Sequence, residues 1–255
     1  MRAAHTVWAS YRLLFANLGA FLQIAAGWAL VVTLTSELEL FLRDTKLPDS
    51  ERPFLLVLAP SLLTLIVSTA GSICFAVVWH RFVVLGEPAR RFFPAVNDVL
   101  GPYLARTCVA MLVPMSLYVI VTWAPWRNKD DLLIDIFLFV GMSVLLAAGA
   151  RLWLALPASA VGDAATTFRQ SWAATRGHGA EVFAGLLVCD LPFTAMAIAV
   201  DRLTKDFDVD SVEGIAAYAA LQMIDLARNV VWTVFVSYAY LEFVRAKQTP
   251  ADQFR

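Results

Sequence analysis

Six long apolar runs constrain the fold of this chain more than any other feature of its sequence. They cover residues 13–35, 54–78, 103–123, 132–156, 182–200 and 221–244. Each is close to the roughly 20 residues that a helix needs to cross a hydrocarbon core about 30 Å thick. The chain is 60% hydrophobic and only 16% charged, which is unlike a soluble domain. We therefore predict an all-α polytopic membrane protein, a bundle of six transmembrane helices in a single domain over residues 1–255.

The distribution of Lys and Arg predicts the orientation of this bundle. Twelve of the 20 basic residues fall on the side that holds both termini, seven fall on the other side, and Arg228 lies inside the sixth run. The positive-inside rule places the twelve in the cytoplasm, and an even number of spans requires both termini to be there. The first run is longer than the apolar region of a signal peptide, about 7–15 residues, so we interpret it as an uncleaved span.

Short amphipathic segments precede three of the runs. Apolar residues recur at helical spacing at 4, 8, 11 and 15, at 92, 96, 99 and 103, and at 161, 165, 168 and 172. We predict a short helix at the cytoplasmic interface in each case, with Trp8, Arg12, Trp172 and Arg176 as interfacial anchors. The common spacing of four between Trp and Arg is consistent with a threefold hairpin repeat, although simple packing of helical hairpins explains the same pattern.

Charged residues inside the apolar runs are the default candidates for function. Arg151 lies five residues, about 7.5 Å, from the predicted end of the fourth run, which breaks at Pro157. Its long side chain can therefore reach the headgroups or a structural partner, or it can contact an anionic ligand. Asp190 lies in the middle of the fifth run, and its short side chain must be protonated, paired or in contact with a wet cavity.

Asp225 and Arg228 are spaced i, i+3 on one face of the sixth run, where they can neutralise each other. A more specific hypothesis is that Asp190 and Arg228 form a buried contact between the fifth and sixth helices. Asp190, Arg151, Asp225 and Arg228 together form our candidate intramembrane polar site.

The sequence contains no recognisable catalytic, metal or cofactor motif. Cys74, Cys108 and Cys189 lie in apolar runs without zinc spacing, and His5, His80 and His178 are widely separated on the predicted cytoplasmic side. The acidic segment 201–210 lacks the spacing and the glycine of an EF-hand. We therefore expect no cofactor, no metal site and no catalytic residues, and the net charge of -1 gives no indication of nucleic-acid binding.

Two segments resemble a known family. The sequence ARLWLALPASAVG at 150–162, followed by FRQSWAATRG at 168–177, is similar to bacterial six-span integral membrane proteins related to the membrane domain of glycerophosphoryl diester phosphodiesterase, and to neighbouring families of uncharacterised membrane proteins. The residues that carry this resemblance are Arg151, Leu156, Pro157, Trp172, Arg176 and Gly177. The segment VVWHRFVVLGE at 77–87 has a similar character.

The resemblance implies a multi-pass protein of the bacterial inner (cytoplasmic) membrane. In the phosphodiesterase, catalysis resides in a soluble domain beyond the membrane part. Only eleven residues follow Val244 here, so we expect no such domain.

Three functional interpretations remain open on sequence grounds. The first is a non-enzymatic module that binds lipid or a partner, or transports a small or amphipathic solute. The second is a membrane-embedded enzyme that acts on lipid headgroups. The third is an accessory subunit of a membrane complex. Expected partners are membrane lipids and a membrane protein partner or a second copy of the chain, and no nucleic acid.

Overall fold

A computed structural model describes residues 3–43, 54–89, 97–122, 149–207 and 211–246, and the regular structure in these ranges is entirely helical. A π-helical turn at Leu241–Arg245 extends the last helix. Residues 149–153 are also helical. The α-helices are α1 (Ala3–Ala16), α2 (Leu18–Arg43), α3 (Phe54–Leu85), α4 (Asn97–Thr122), α5 (Ala155–Ala160), α6 (Phe168–Ala174), α7 (Gly179–Thr204) and α8 (Val212–Tyr240).

Four stretches within the described residues are long and apolar enough to cross a membrane. They are Leu18–Leu38, Ser61–Leu85, Gly179–Thr204 and Val212–Arg245, and they correspond to the first, second, fifth and sixth predicted runs. The backbone of α4 follows the third run, whereas residues 132–148 of the fourth run lie outside the described residues. The prediction of an all-helical membrane protein is therefore supported, and the count of six spans stays a prediction.

The first predicted span is wrong at its beginning. Residues 13–16 belong to α1, and the spanning helix α2 starts at Leu18. The turn between the two helices falls at Asn17, whose side-chain amide donates a 2.8 Å hydrogen bond to the Leu13 carbonyl. The backbone N–H of Asn17 lies 3.1 Å from the carbonyls of both Leu13 and Leu14.

The break predicted at Pro157 is also wrong. The irregular turn lies at Leu154, and the chain then continues as α5 through Pro157 to Ala160. Pro157 occupies the first turn of α5, where the missing N–H has no helical partner to lose. The helix ends instead at Ala160, and in the turn that follows, the φ of 79° at Gly162 allows the Asp163 N–H to reach the Ala158 carbonyl at 2.8 Å. All six residues of α5 are buried, so this segment is part of the core.

The helix predicted from residue 161 begins seven residues later, at Phe168. Thr167 and Gln170 form a capping box: the Thr167 hydroxyl accepts from the Gln170 N–H at 3.3 Å, and the Gln170 side chain accepts from the Thr167 N–H at 2.7 Å. This reciprocal bonding satisfies the free donors at a helix start.

Of the second amphipathic segment, residues 92 and 96 lie outside the described residues, and Val99 and Tyr103 are buried on α4.

Helix α8 is the centre of the described bundle. It contacts α1, α2, α3, α5 and α7, and its residues from Val230 to Tyr240 are mostly buried. At one end, the Ser36 hydroxyl lies 2.8 Å from the Tyr218 hydroxyl. At the other end, which we call the junction end, residues 81–87, α5, α6, the start of α7 and the π-helical turn come together.

Gly185 sets the distance between α7 and α8. A Cβ at this position would overlap the ring of Phe235, which is fully buried and has no space to move. We predict that Gly185→Ala lowers the free energy of unfolding by about 1–3 kcal/mol, the usual cost of overpacking. The control is Gly101→Ala on α4, where a Cβ meets nothing within 4 Å. Unfolding titrations in mixed detergent micelles measure the free energy of unfolding of both variants. If the Gly185 variant is as stable as the Gly101 variant, the predicted overlap is contradicted.

Candidate functional site

A cavity of about 370 Å³ lies between α3, α4, α5 and α8. Its volume falls in the range of small-ligand sites, roughly 300–1,000 Å³. Polar and apolar side chains alternate on its walls, although the surrounding helices are predominantly apolar. The lining residues are Ser68, Thr69, Ser72, Ile73, Ala76, His80, Tyr103, Thr107, Met111, Trp153, Leu156, Asp225, Asn229, Trp232, Thr233 and Val236.

Two tryptophans form an aromatic pair on the cavity wall. The ring centroids of Trp153 and Trp232 are 5.1 Å apart with an interplanar angle of 40°. Trp153 is only 4% exposed, and neither indole N–H has an acceptor among the described residues. A buried donor without an acceptor costs about 1–3 kcal/mol, so the packing of this pair leaves polar groups unsatisfied at a cost in stability.

His80 occupies the cavity end nearest the junction. Its Nδ1 lies 2.7 Å from the Ser237 hydroxyl, which itself donates to the Thr233 carbonyl at 2.7 Å. Because a serine hydroxyl carries one proton, Ser237 accepts from His80 in this arrangement, which places a proton on Nδ1. The His80 side chain is buried within the candidate span Ser61–Leu85, and its predicted position on the cytoplasmic side stays a prediction.

Three of the four predicted polar residues come together beside this cavity. The Arg228 guanidinium donates to an Asp225 carboxylate oxygen and lies 3.8 Å from Oδ1 of Asp190. The Thr194 hydroxyl donates to the other Asp190 oxygen at 2.8 Å. The hypothesised contact between the fifth and sixth spans is thus present, but it is partly exposed rather than buried, because the Asp190 and Arg228 side chains are 27% and 40% exposed.

Asp225 connects this charged network to two cavities. It lines the main cavity and also a second cavity of about 230 Å³, which Phe193, Ala197 and Leu221 help to form. Arg228 lines the second cavity but does not line the main one. Asp225 therefore lies at the boundary between the two cavities, with its carboxylate bonded to a guanidinium that lines the second cavity.

Helix α1 supports the turn of α7 that carries Asp190. Pro192 has no N–H, so the Val188 carbonyl loses its helical partner. The Tyr11 hydroxyl lies 3.3 Å from this carbonyl and donates to the Cys189 carbonyl at 2.9 Å. The Tyr11 ring also stacks on Phe193 at 5.9 Å. A proline inside the span is thus accommodated by a neighbouring helix, as expected in an apolar environment.

Arg151 lies apart from this network and joins two elements at the junction end. Its guanidinium donates to the Trp172 carbonyl at 2.6 Å and to the Thr175 hydroxyl at 3.0 Å. It also stacks on the Trp172 ring, with 3.8 Å from Cζ to the ring centroid. The Ser171 hydroxyl completes the contact by donating to the Arg151 carbonyl. These contacts assign Arg151 to the structure of the junction.

The predicted interfacial anchors are mostly exposed. Trp8 is 68% exposed and Arg12 and Arg176 are also exposed, whereas α1 packs on the bundle through its buried face of Val7, Ser10 and Leu14. Trp172 is 43% exposed and contacts Arg151. The arginine that stacks on Trp172 is therefore Arg151, and not Arg176, which follows Trp172 by four residues.

Asp163 fastens the connection between α5 and α6 to α8. One carboxylate oxygen accepts from the backbone N–H groups of Ala165 and Thr166, and the other accepts from the Thr166 and Tyr240 hydroxyls at 2.6 and 3.0 Å. Partial burial acts to raise the pKa of Asp163, but these hydrogen bonds to the charged form together lower it below 3.8. The ionised carboxylate is thus the form that the folded junction favours.

Sequence reasoning missed most of the cavity wall. Trp153, Trp232, Asn229 and Tyr103 had no recognisable signal, because isolated polar or aromatic residues in an apolar run are more often packing residues. The described residues contain no group of three or more His, Cys, Asp or Glu side chains that could hold a metal ion. Comparisons with protein-family models, curated proteins and solved structures found no match, so the resemblance noted in the sequence stays a prediction.

Replacing Arg151 tests its structural assignment. Arg151→Lys keeps the charge but loses the planar stack and the pair of hydrogen bonds. We expect a loss of about 1–3 kcal/mol in the free energy of unfolding. We also expect faster proteolysis between residues 161 and 179. Arg176→Lys, at an exposed position one turn beyond Trp172, should change neither measurement. A wild-type proteolysis rate in the Arg151 variant would contradict the assignment.

Asp163 should make stability depend on acid pH. Its folded pKa is lower than its unfolded pKa, so its contribution is complete above about pH 5 and is lost as the pH falls through the folded pKa. We expect Asp163→Asn to lower the unfolding temperature at neutral pH and to differ less from wild type near pH 3. Tyr240→Phe, which removes one of the hydrogen bonds, should give an intermediate pH profile. A difference between wild type and Asp163→Asn that does not change with pH would contradict the predicted linkage.

Proposed function

We propose that this chain is a non-enzymatic membrane module that binds a small or amphipathic solute in the cavity between α3, α4 and α8. The observation that carries the proposal is a ligand-sized cavity with polar side chains on a mainly apolar wall, lined in part by two helices that are apolar enough to span a membrane. Polar groups at membrane depth are costly and are retained where they meet a ligand, an ion or water. Binding, with or without transport, is the function that such a cavity supports best.

A membrane-embedded hydrolase is the second candidate, because His80 and Ser237 form a close pair that resembles a base and a nucleophile. Two features favour binding over this alternative. Ser237 is fully buried, and its proton is directed to the Thr233 carbonyl rather than to His80. A nucleophile must be accessible to substrate and must donate to its base.

The proposed setting is the bacterial inner membrane with the junction end in the cytoplasm. Arg81, Arg106, Arg151 and Arg245 all make their hydrogen bonds at this end, which is the distribution that the positive-inside rule expects of a cytoplasmic face. We propose membrane lipids as direct partners of the exposed apolar residues on α2, α3 and α7. An accessory role in a larger membrane complex is the alternative, and it predicts copurification with a defined partner.

Filling the cavity tests the proposal. The probe is an eight-carbon alcohol with a photoreactive diazirine, applied to the protein in lipid nanodiscs. We expect saturable labelling of peptides from α3 and α8, and we expect Ser72→Phe to weaken it about tenfold because the added ring occupies the cavity. The control is Ile66→Phe, at a position on α3 that is 63% exposed. Absence of saturable labelling, or equal labelling of both variants, would overturn the cavity as the binding site.

A further inference from the structure

We infer that the cavity binds an organic cation, an alkylamine or quaternary ammonium group attached to an apolar chain. This inference rests on the proposed function and adds the chemical class of the ligand. The charges around the cavity provide the first argument. Asp225 is the only Asp, Glu, Lys or Arg residue among those that line the described cavity.

The charged network that includes Asp225 has more carboxylates than cations. Two carboxylates, from Asp190 and Asp225, share the single Arg228 guanidinium, so the ionised cluster carries one net negative charge. Both contacts of Arg228 are directed to carboxylates, and its side chain does not line the main cavity. An anionic ligand in the main cavity would meet no Lys or Arg side chain among the described lining residues, whereas a cation would neutralise the net charge of the cluster.

The aromatic residues provide the second argument. Trp153, Trp232 and Tyr103 lie on the walls of the same cavity as Asp225. The faces of indole and phenol rings attract cations, and rings combined with a carboxylate form a recognised type of site for alkylated amines. The side-chain oxygens of Asn229 and Thr233 can accept hydrogen bonds from a primary amine.

The remaining wall suits an apolar chain. Ile73, Met111, Leu156 and Val236 line the cavity together with the polar residues. A ligand with an amine at one end and a short hydrocarbon chain at the other would contact both kinds of surface. A free amphiphilic amine and the amine of a lipid headgroup share this chemistry, so the experiment must distinguish these two sources.

The test compares three diazirine probes of equal chain length that end in an amine, an alcohol or a carboxylate. In nanodiscs of phosphatidylglycerol, we expect the amine to label the α3 and α8 peptides with the lowest dissociation constant and the carboxylate with the highest. Asp225→Asn should weaken amine binding about tenfold and leave alcohol binding within about twofold. Asp190→Asn, which removes one charge without altering the cavity wall, should weaken amine binding by about threefold.

The exposed Asp201→Asn on α7 is the matched control and should bind all three probes as wild type does. If the alcohol or the carboxylate binds as tightly as the amine, or if neither cavity variant changes amine binding, the cationic ligand is ruled out while the binding cavity stands. If no probe labels saturably, both the inference and the proposed function fail. Competition by a short-chain ethanolamine phospholipid, but not by octylamine, would identify a lipid headgroup as the ligand, and the reverse result would identify a free amine.

Discussion

Close packing around α8 is the constraint on which the rest of the described structure depends. In a membrane the hydrophobic effect does not drive helices together, because lipid chains are as apolar as the side chains. Association then relies on dispersion and on close approach, and small residues permit that approach. Gly185 receives the ring of Phe235 on α8, and Gly71 receives the ring of Trp28 where α2 meets α3. A large aromatic ring against a glycine is thus the repeated means by which these helices approach one another.

The polar groups follow a second constraint, because each must find a partner inside the protein. Most do: Tyr11 donates a hydrogen bond to a carbonyl near Pro192, Arg151 donates to a carbonyl of α6, and Asp163 accepts from the backbone of the turn after α5. The segment 150–177, which carries the family resemblance, is explained almost entirely in this way, since Arg151, Trp172 and the buried α5 all hold the junction together. Residues whose contacts stabilise the local structure in this way say little about activity. Of the polar side chains that line the main cavity, His80 joins α3 to α8 through Ser237, whereas the indole N–H groups of Trp153 and Trp232 have no acceptor among the described residues.

The sequence predicted the existence of the helices better than their ends. Run length depends on membrane thickness, a single physical quantity, and the fifth and sixth runs lie within α7 and α8 and their π-helical extension. The ends depend on individual side chains whose effects compete. Asn17 interrupts a run that hydropathy treats as continuous, and Pro157 is harmless because it falls in a first turn. The Thr167–Gln170 capping box was the available signal for the start of α6, and it outweighed the apolar spacing that suggested residue 161.

The charged network could be predicted because charges inside apolar runs are few, and their partners are correspondingly few. The predicted runs contain three cations, Arg106, Arg151 and Arg228, and Arg228 is the one that Asp190 contacts. The cavity wall had no such signal. An apolar helix that is hydrophobic on all sides does not reveal which face meets its neighbours, so Trp153 and Trp232, 79 positions apart in sequence, could not be paired in advance. Their meeting places two aromatic rings on the wall of the same cavity as Asp225, and the proposed cation site depends on that combination of rings and carboxylate.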